Sequence, residues 1–92
     1  MARFTSLLQS IIEKKLDAGM TRDDAFGTVR HKNHESIAEW YDHIASIKDR
    51  FDGNPPAEWQ GVIGKVKEAI GLERELLNDL DHLEASGWAK GR

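Results

Sequence analysis

The chain has 92 residues, of which 39% are hydrophobic and 32% charged, with a formal net charge of −3. This composition is typical of one globular domain over residues 1–92, and the acidic balance argues against nucleic-acid binding, which requires excess Lys and Arg. The lack of cysteine excludes disulfides, thiol nucleophiles and cysteine-based zinc sites. Apolar runs are too short to span a bilayer or to form a signal peptide, so we expect a cytoplasmic protein without membrane contact.

The first part of the chain predicts two helices. Apolar side chains recur every three or four residues over about 4–18, and Gly19 follows where a C-terminal cap is expected. A shorter helix, about 21–29, begins at Thr21 and carries acidic residues in its first turn.

The rest of the chain predicts two further helices. The polar stretch 30–34 is interpreted as a turn, and Ser36 with a glutamate three residues later fits a capping box for a helix over about 34–52. Two consecutive prolines then mark the start of a last helix over about 56–86. At about 1.5 Å per residue this helix would be roughly 45 Å long, and Gly71 in its middle could kink or divide it.

The predicted fold is therefore all-α, a small bundle of about four helices with a long C-terminal helix. Because that helix is longer than its neighbours can cover, some of its leucines should remain exposed and mark an interface with another protein or a second copy. Trp88, beyond the helix, either folds back on the end of the bundle or serves as an aromatic anchor for a partner. The predicted interface residues are Leu72, Leu76, Leu77, Leu80, Leu83 and Trp88.

A short basic segment in the first half is the best candidate for contact with anions. Its residues are Arg30, His31, Lys32 and His34. If residues 21–51 formed a helix-turn-helix, this segment would face DNA phosphates. The candidate turn has no glycine, however, and Glu35, Glu39 and Asp42 would repel the phosphate backbone. A DNA-binding regulator is therefore the alternative to an interaction module.

Glu35, Glu39 and His43 are potential metal ligands that share one stripe of a helix. This stripe points away from the apolar face, whereas a metal site in a bundle needs ligands that point inward, so we expect no metal and no cofactor. The acidic segments 39–42 and 81–84 faintly resemble the magnesium-binding motifs of all-α nucleotide pyrophosphohydrolases, although the companion Glu-x-x-Glu motif is missing. A metal-dependent hydrolase that uses acidic helix stripes is the third option.

No set of catalytic residues emerges from the sequence. There is no glycine-rich phosphate loop, and no serine lies in a nucleophile-elbow motif. The sequence favours a non-catalytic protein–protein interaction module, such as a phage or mobile-element inhibitor or adaptor that acts through helix faces.

Overall fold

The computed structural model describes residues 2–91, which contain three α-helices and no β-strand. Helix α1 spans Thr5–Asp17, α2 spans Arg22–Arg50 and α3 spans Ala57–Ala85. The predicted all-α class is confirmed, but the chain has three helices rather than about four. None of these helices has an apolar stretch long enough to cross a lipid bilayer.

The predicted turn at 30–34 is wrong, because the predicted helices 21–29 and 34–52 are one continuous helix, α2. The stretch contains neither Gly nor Pro, so nothing in its backbone forces a break. Its polar character has another cause. Arg30 and Asn33 face α3, where they meet acidic side chains.

The ends of the helices largely follow the capping signals in the sequence. Thr21 is the N-cap of α2, and its side-chain oxygen accepts a hydrogen bond from the Asp24 N–H at 3.2 Å. Gly19 has a φ of +98°, the left-handed conformation that ends a helix at low cost only in glycine. The capping box predicted at Ser36 is wrong, since Ser36 lies inside α2.

The long C-terminal helix is present as predicted, and Gly71 does not interrupt it. The prediction that this helix is longer than its neighbours holds for α1 but not for α2. Helices α2 and α3 have 29 residues each and pack together as a hairpin, whereas α1 has only 13. At about 1.5 Å per residue, α1 is about 20 Å long and covers about half of a hairpin of about 44 Å.

The difference in helix length divides the apolar interior into two clusters. The three-helix core consists of Leu8, Ile12, Ala25, Phe26, Leu80 and Leu83. The two-helix core consists of Ile44, Ile63, Val66 and Ile70. Only the first of these clusters contains residues of α1, so the half of the hairpin nearer the α2–α3 loop has no third helix.

Candidate interaction surface

The predicted interface leucines lie mainly in the half of the hairpin that α1 covers. Leu80 and Leu83 belong to the three-helix core, and Leu76, Leu77 and Trp88 are partly buried against it. Leu72 alone of the six is exposed, at 44%. Trp88 folds back on the bundle end, where its carbonyl oxygen accepts a hydrogen bond from the Arg22 guanidinium at 2.8 Å.

The predicted anion-facing residues do not form a common site. Arg30 pairs with Asp81 at 3.0 Å and with Glu84 on α3. Burial disfavours the charged form of Arg30, but its hydrogen bonds to Glu84 and Asp81 outweigh this effect and raise its pKa. The Nε2 atom of His31 lies 2.9 Å from a carboxylate oxygen one turn later on the exposed surface of α2.

Lys32 and His34 are exposed on α2. The DNA-binding alternative depended on a turn at 30–34, and this segment is helical.

Several acidic side chains of α3 take part in contacts within the chain. No three His, Cys, Asp or Glu side chains within residues 2–91 are grouped so that they could hold a metal ion. On α3, Asp79 accepts a hydrogen bond from the backbone N–H of Phe4 at 2.9 Å, and Glu84 pairs with Arg30. The hydrolase option therefore has no ligand set among the described residues.

One side of the hairpin carries two stripes of residues spaced alternately by three and four positions. Such spacing keeps side chains on one side of a helix over many turns. On α2 the stripe passes through Val29, Asn33, Ser36, Trp40, His43, Ile47 and Arg50. On α3 it passes through Trp59, Val62, Val66, Ala69, Glu73, Leu76 and Leu80.

In the half of the hairpin that α1 covers, contacts show that both stripes face α1. Val29, Ser36 and Leu76 line a groove together with Leu8 and Ile11 of α1. Farther along the hairpin the same stripes continue where α1 is no longer present. There, Ile47 and Arg50 of α2 and Trp59 of α3 line a second cavity of about 230 Å³.

We call the uncovered part of these stripes the open seam. It consists of Trp40, His43, Ile47 and Arg50 on α2, and of Trp59, Val62, Val66 and Ala69 on α3, of which Val66 is buried in the two-helix core. The surface is apolar and aromatic along its centre. Trp40, Ile47 and Trp59 are half-buried, and Val62 is 43% exposed. Tryptophan is among the residues most enriched at the centres of protein interfaces.

The end of the open seam near the α2–α3 loop is ordered by aromatic contacts. The Arg50 guanidinium lies 5.6 Å from the centre of the Trp59 ring, and the ring of Phe51 packs against the same indole at 5.6 Å. At the other end of the open seam, the Trp40 ring lies 5.8 Å from that of His43. These contacts pack both tryptophans against neighbouring side chains of the open seam and the loop end.

The groove between α1 and α2, which we call the α1–α2 groove, has a volume of about 310 Å³. At its base, the Asn33 amide nitrogen donates to the Glu73 carbonyl oxygen at 3.1 Å and to the Glu73 carboxylate at 2.6 Å. The Asn33 side-chain oxygen is buried and accepts no hydrogen bond from any of residues 2–91.

The open seam was missed by the sequence analysis, although the sequence contains a signal for it. The interpretation of 30–34 as a turn divided the α2 stripe, so its regular spacing from Val29 to Arg50 was not recognised.

Comparisons with protein-family models, with curated proteins and with solved structures gave no significant match to this chain.

Proposed function

We propose that this chain is a non-catalytic interaction module whose open seam binds an amphipathic helix of another protein. The observation that carries the proposal is the continuity of the two stripes, which hold α1 in one half of the hairpin and lack a third helix in the other half. A partner helix placed in line with α1 would complete the three-helix bundle. Helix-in-groove binding of this kind uses apolar anchors at i, i+3, i+4 and i+7.

The length of the open seam limits the size of the partner helix. From Ser36, where the α1–α2 groove ends, to Arg50 the stripe spans about 14 residues, or about 21 Å at 1.5 Å per residue. A helix of about four turns would cover it.

The charges around the open seam suggest the orientation of the partner. Arg50 forms no ion pair with another described residue and lies at the end of the seam near the α2–α3 loop. Glu73 lies at the other end. We therefore expect the partner helix to place an acidic residue near Arg50 and a basic residue near Glu73, since opposite charges across an interface fix orientation and register.

The proposal is tested by affinity capture from the native host with quantitative mass spectrometry. Val62→Asp introduces a charge in the middle of the open seam at a position that is already 43% exposed, so the fold should tolerate it. Leu7→Asp is the matched control, because Leu7 is 51% exposed on α1. A partner should be enriched by the wild type and by Leu7→Asp but lost with Val62→Asp.

Two results would count against this function. If no protein depends on Val62, or if Leu7→Asp loses the same proteins, the open seam is not a binding surface. Sedimentation of the purified chain at several concentrations provides a further check. A dimer that dissociates with Val62→Asp would show that the seam binds a second copy instead of a different protein.

A further inference from the structure

The α1–α2 groove is distinct from the open seam, because α1 itself forms one of its walls. The apolar part of its base comes from all three helices, with Leu8 and Ile11 from α1, Val29 from α2 and Leu76 from α3, and the polar part is the contact between Asn33 and Glu73. Leu8 is fully buried, while Ile11, Val29 and Leu76 are half-buried, so each of the last three keeps part of its surface accessible. The volume of about 310 Å³ is at the lower end of the range of about 300–1,000 Å³ that is usual for small-molecule sites.

Two lysines lie beside this apolar base, one from each wall. Lys15 belongs to α1 and Lys32 to α2, and both line the groove. Neither forms an ion pair with a residue that the structure describes. Glu73 also lines the groove; its carboxylate accepts one hydrogen bond from the Asn33 amide, at 2.6 Å, and forms an ion pair with neither lysine. The groove thus combines an apolar surface with two ammonium groups that form no ion pair within residues 2–91.

We propose that the α1–α2 groove binds a small carboxylate with an apolar tail. The tail lies on Ile11, Val29 and Leu76, and the carboxylate is held between Lys15 and Lys32. A carboxylate suits two ammonium groups, since charge-assisted hydrogen bonds are about twice as strong as neutral ones. A cationic or zwitterionic head group would meet two like charges and is disfavoured.

The test is a titration of the ¹⁵N-labelled full chain with sodium octanoate, followed by NMR. Saturable shifts are expected at the amides of Ile11, Val29 and Leu76. The double variant Lys15→Gln/Lys32→Gln should weaken binding at least about fivefold, because it removes both counter-ions of the carboxylate. The control Lys14→Gln/Lys67→Gln removes the same total charge from positions outside the groove and should bind octanoate as the wild type does.

Octyltrimethylammonium, which has the same tail and the opposite charge, distinguishes a carboxylate site from a generally apolar crevice. It should produce no saturable shift in the groove. The proposal is overturned if octanoate does not saturate, if the cation binds equally well, or if both double variants bind octanoate equally. Shifts confined to Trp59 and Val62 would also overturn it, since they would place the ligand in the open seam.

Discussion

Asp79 on α3 holds the beginning of α1. Its carboxylate, in a side chain that is 6% exposed, accepts the Phe4 N–H at 2.9 Å across 75 residues of sequence. The first N–H groups of a helix lack partners within the helix, and a negative charge there also interacts favourably with the helix dipole. One buried side chain therefore fixes where α1 lies on the hairpin.

Replacement of this carboxylate should destabilise the fold measurably. We expect Asp79→Ala to lower the free energy of unfolding by about 1.5–3 kcal/mol, the usual contribution of a hydrogen bond to a charged group. Urea denaturation followed by circular dichroism measures this. Glu75→Ala is the control, because Glu75 is exposed and lies 3.8 Å from Arg3, so its loss should cost less than about 0.5 kcal/mol. Equal effects of the two changes would show that the Asp79 contact contributes little.

Arg30 links α2 to α3 through Asp81 and Glu84, and these hydrogen bonds raise its pKa despite partial burial. Because the pKa of Arg30 is raised in the folded state, the stabilisation of the fold by its contacts is complete at pH values below the pKa of the unfolded state. It is lost only as the pH rises through the pKa of the folded state. For an arginine, both values lie far above the physiological range.

The loss of stability on replacing Arg30 should therefore not depend on pH near neutrality. Arg30→Gln should lower the free energy of unfolding by about 1 kcal/mol, a modest value because the Arg30 side chain is 30% exposed. The difference from the wild type should stay constant between about pH 7 and about pH 9, as measured by urea unfolding at each pH. A difference that shrinks steadily over this interval would contradict the assignment. Lys48→Gln, on the exposed surface, is the control and should have little effect at any pH.

Among the helices, α3 remains continuous at a glycine that could have divided it. Gly71 lies inside α3 with helical geometry, and a Cβ atom added there would meet nothing within 4 Å. Packing of the apolar face against α2 and α1 holds the helix together despite the weak propensity of glycine. Gly19 differs, because its φ of +98° requires a residue without a side chain.

Alanine at these two positions should therefore have opposite effects. Gly71→Ala should raise the free energy of unfolding by about 0.5–1 kcal/mol, since it reduces the freedom of the unfolded chain and adds no clash. Gly19→Ala should lower it by about 1–2 kcal/mol, because alanine is strained in a left-handed conformation. Thermal and urea unfolding of both variants test this pair. If Gly71→Ala were destabilising, α3 would need a glycine at this position for a reason other than backbone freedom.

The whole molecule is elongated, about 53 × 26 × 17 Å, and its two halves differ in how fully they are covered. In the three-helix core the four largest buried side chains are completely inaccessible to solvent. In the two-helix core each of the four buried residues remains 4–8% exposed. Regions with fewer buried apolar contacts open locally at lower free energy.

Amide hydrogen exchange should show this difference directly. We expect residues 40–50 and 59–69 to exchange faster than 22–30 and 76–84, because no third helix covers the first pair of segments. Mass spectrometry of peptides from the labelled chain measures both regions in one experiment. Binding of a helical partner in the open seam should slow exchange in 40–50 and 59–69 selectively. Equal protection of the two halves in the free chain would contradict the two-cluster description.

Local patterns in the sequence were sufficient to predict the all-α class, α1, α3 and several helix ends. These features depend on interactions between residues close in the chain. Apolar side chains spaced by three and four positions form one face of a helix, Thr21 caps the N–H of Asp24 three residues later, and Gly19 provides a backbone conformation that other residues avoid. Each can be recognised without knowledge of what packs against the helix.

The continuity of α2 and the position of the open seam depended on contacts between residues distant in the chain. The partners of Arg30 and Asn33 are 40 to 54 residues away on α3, so their polar side chains resembled a turn when considered alone. Likewise, Trp40 and Trp59 follow the same spacing of three and four residues as the apolar side chains of the core. No third helix packs on these two tryptophans, because α1 is short and is held at the other half of the hairpin by Asp79 and the three-helix core. Burial of an apolar face depends on which helix packs against it, and that arrangement arises only in the folded chain.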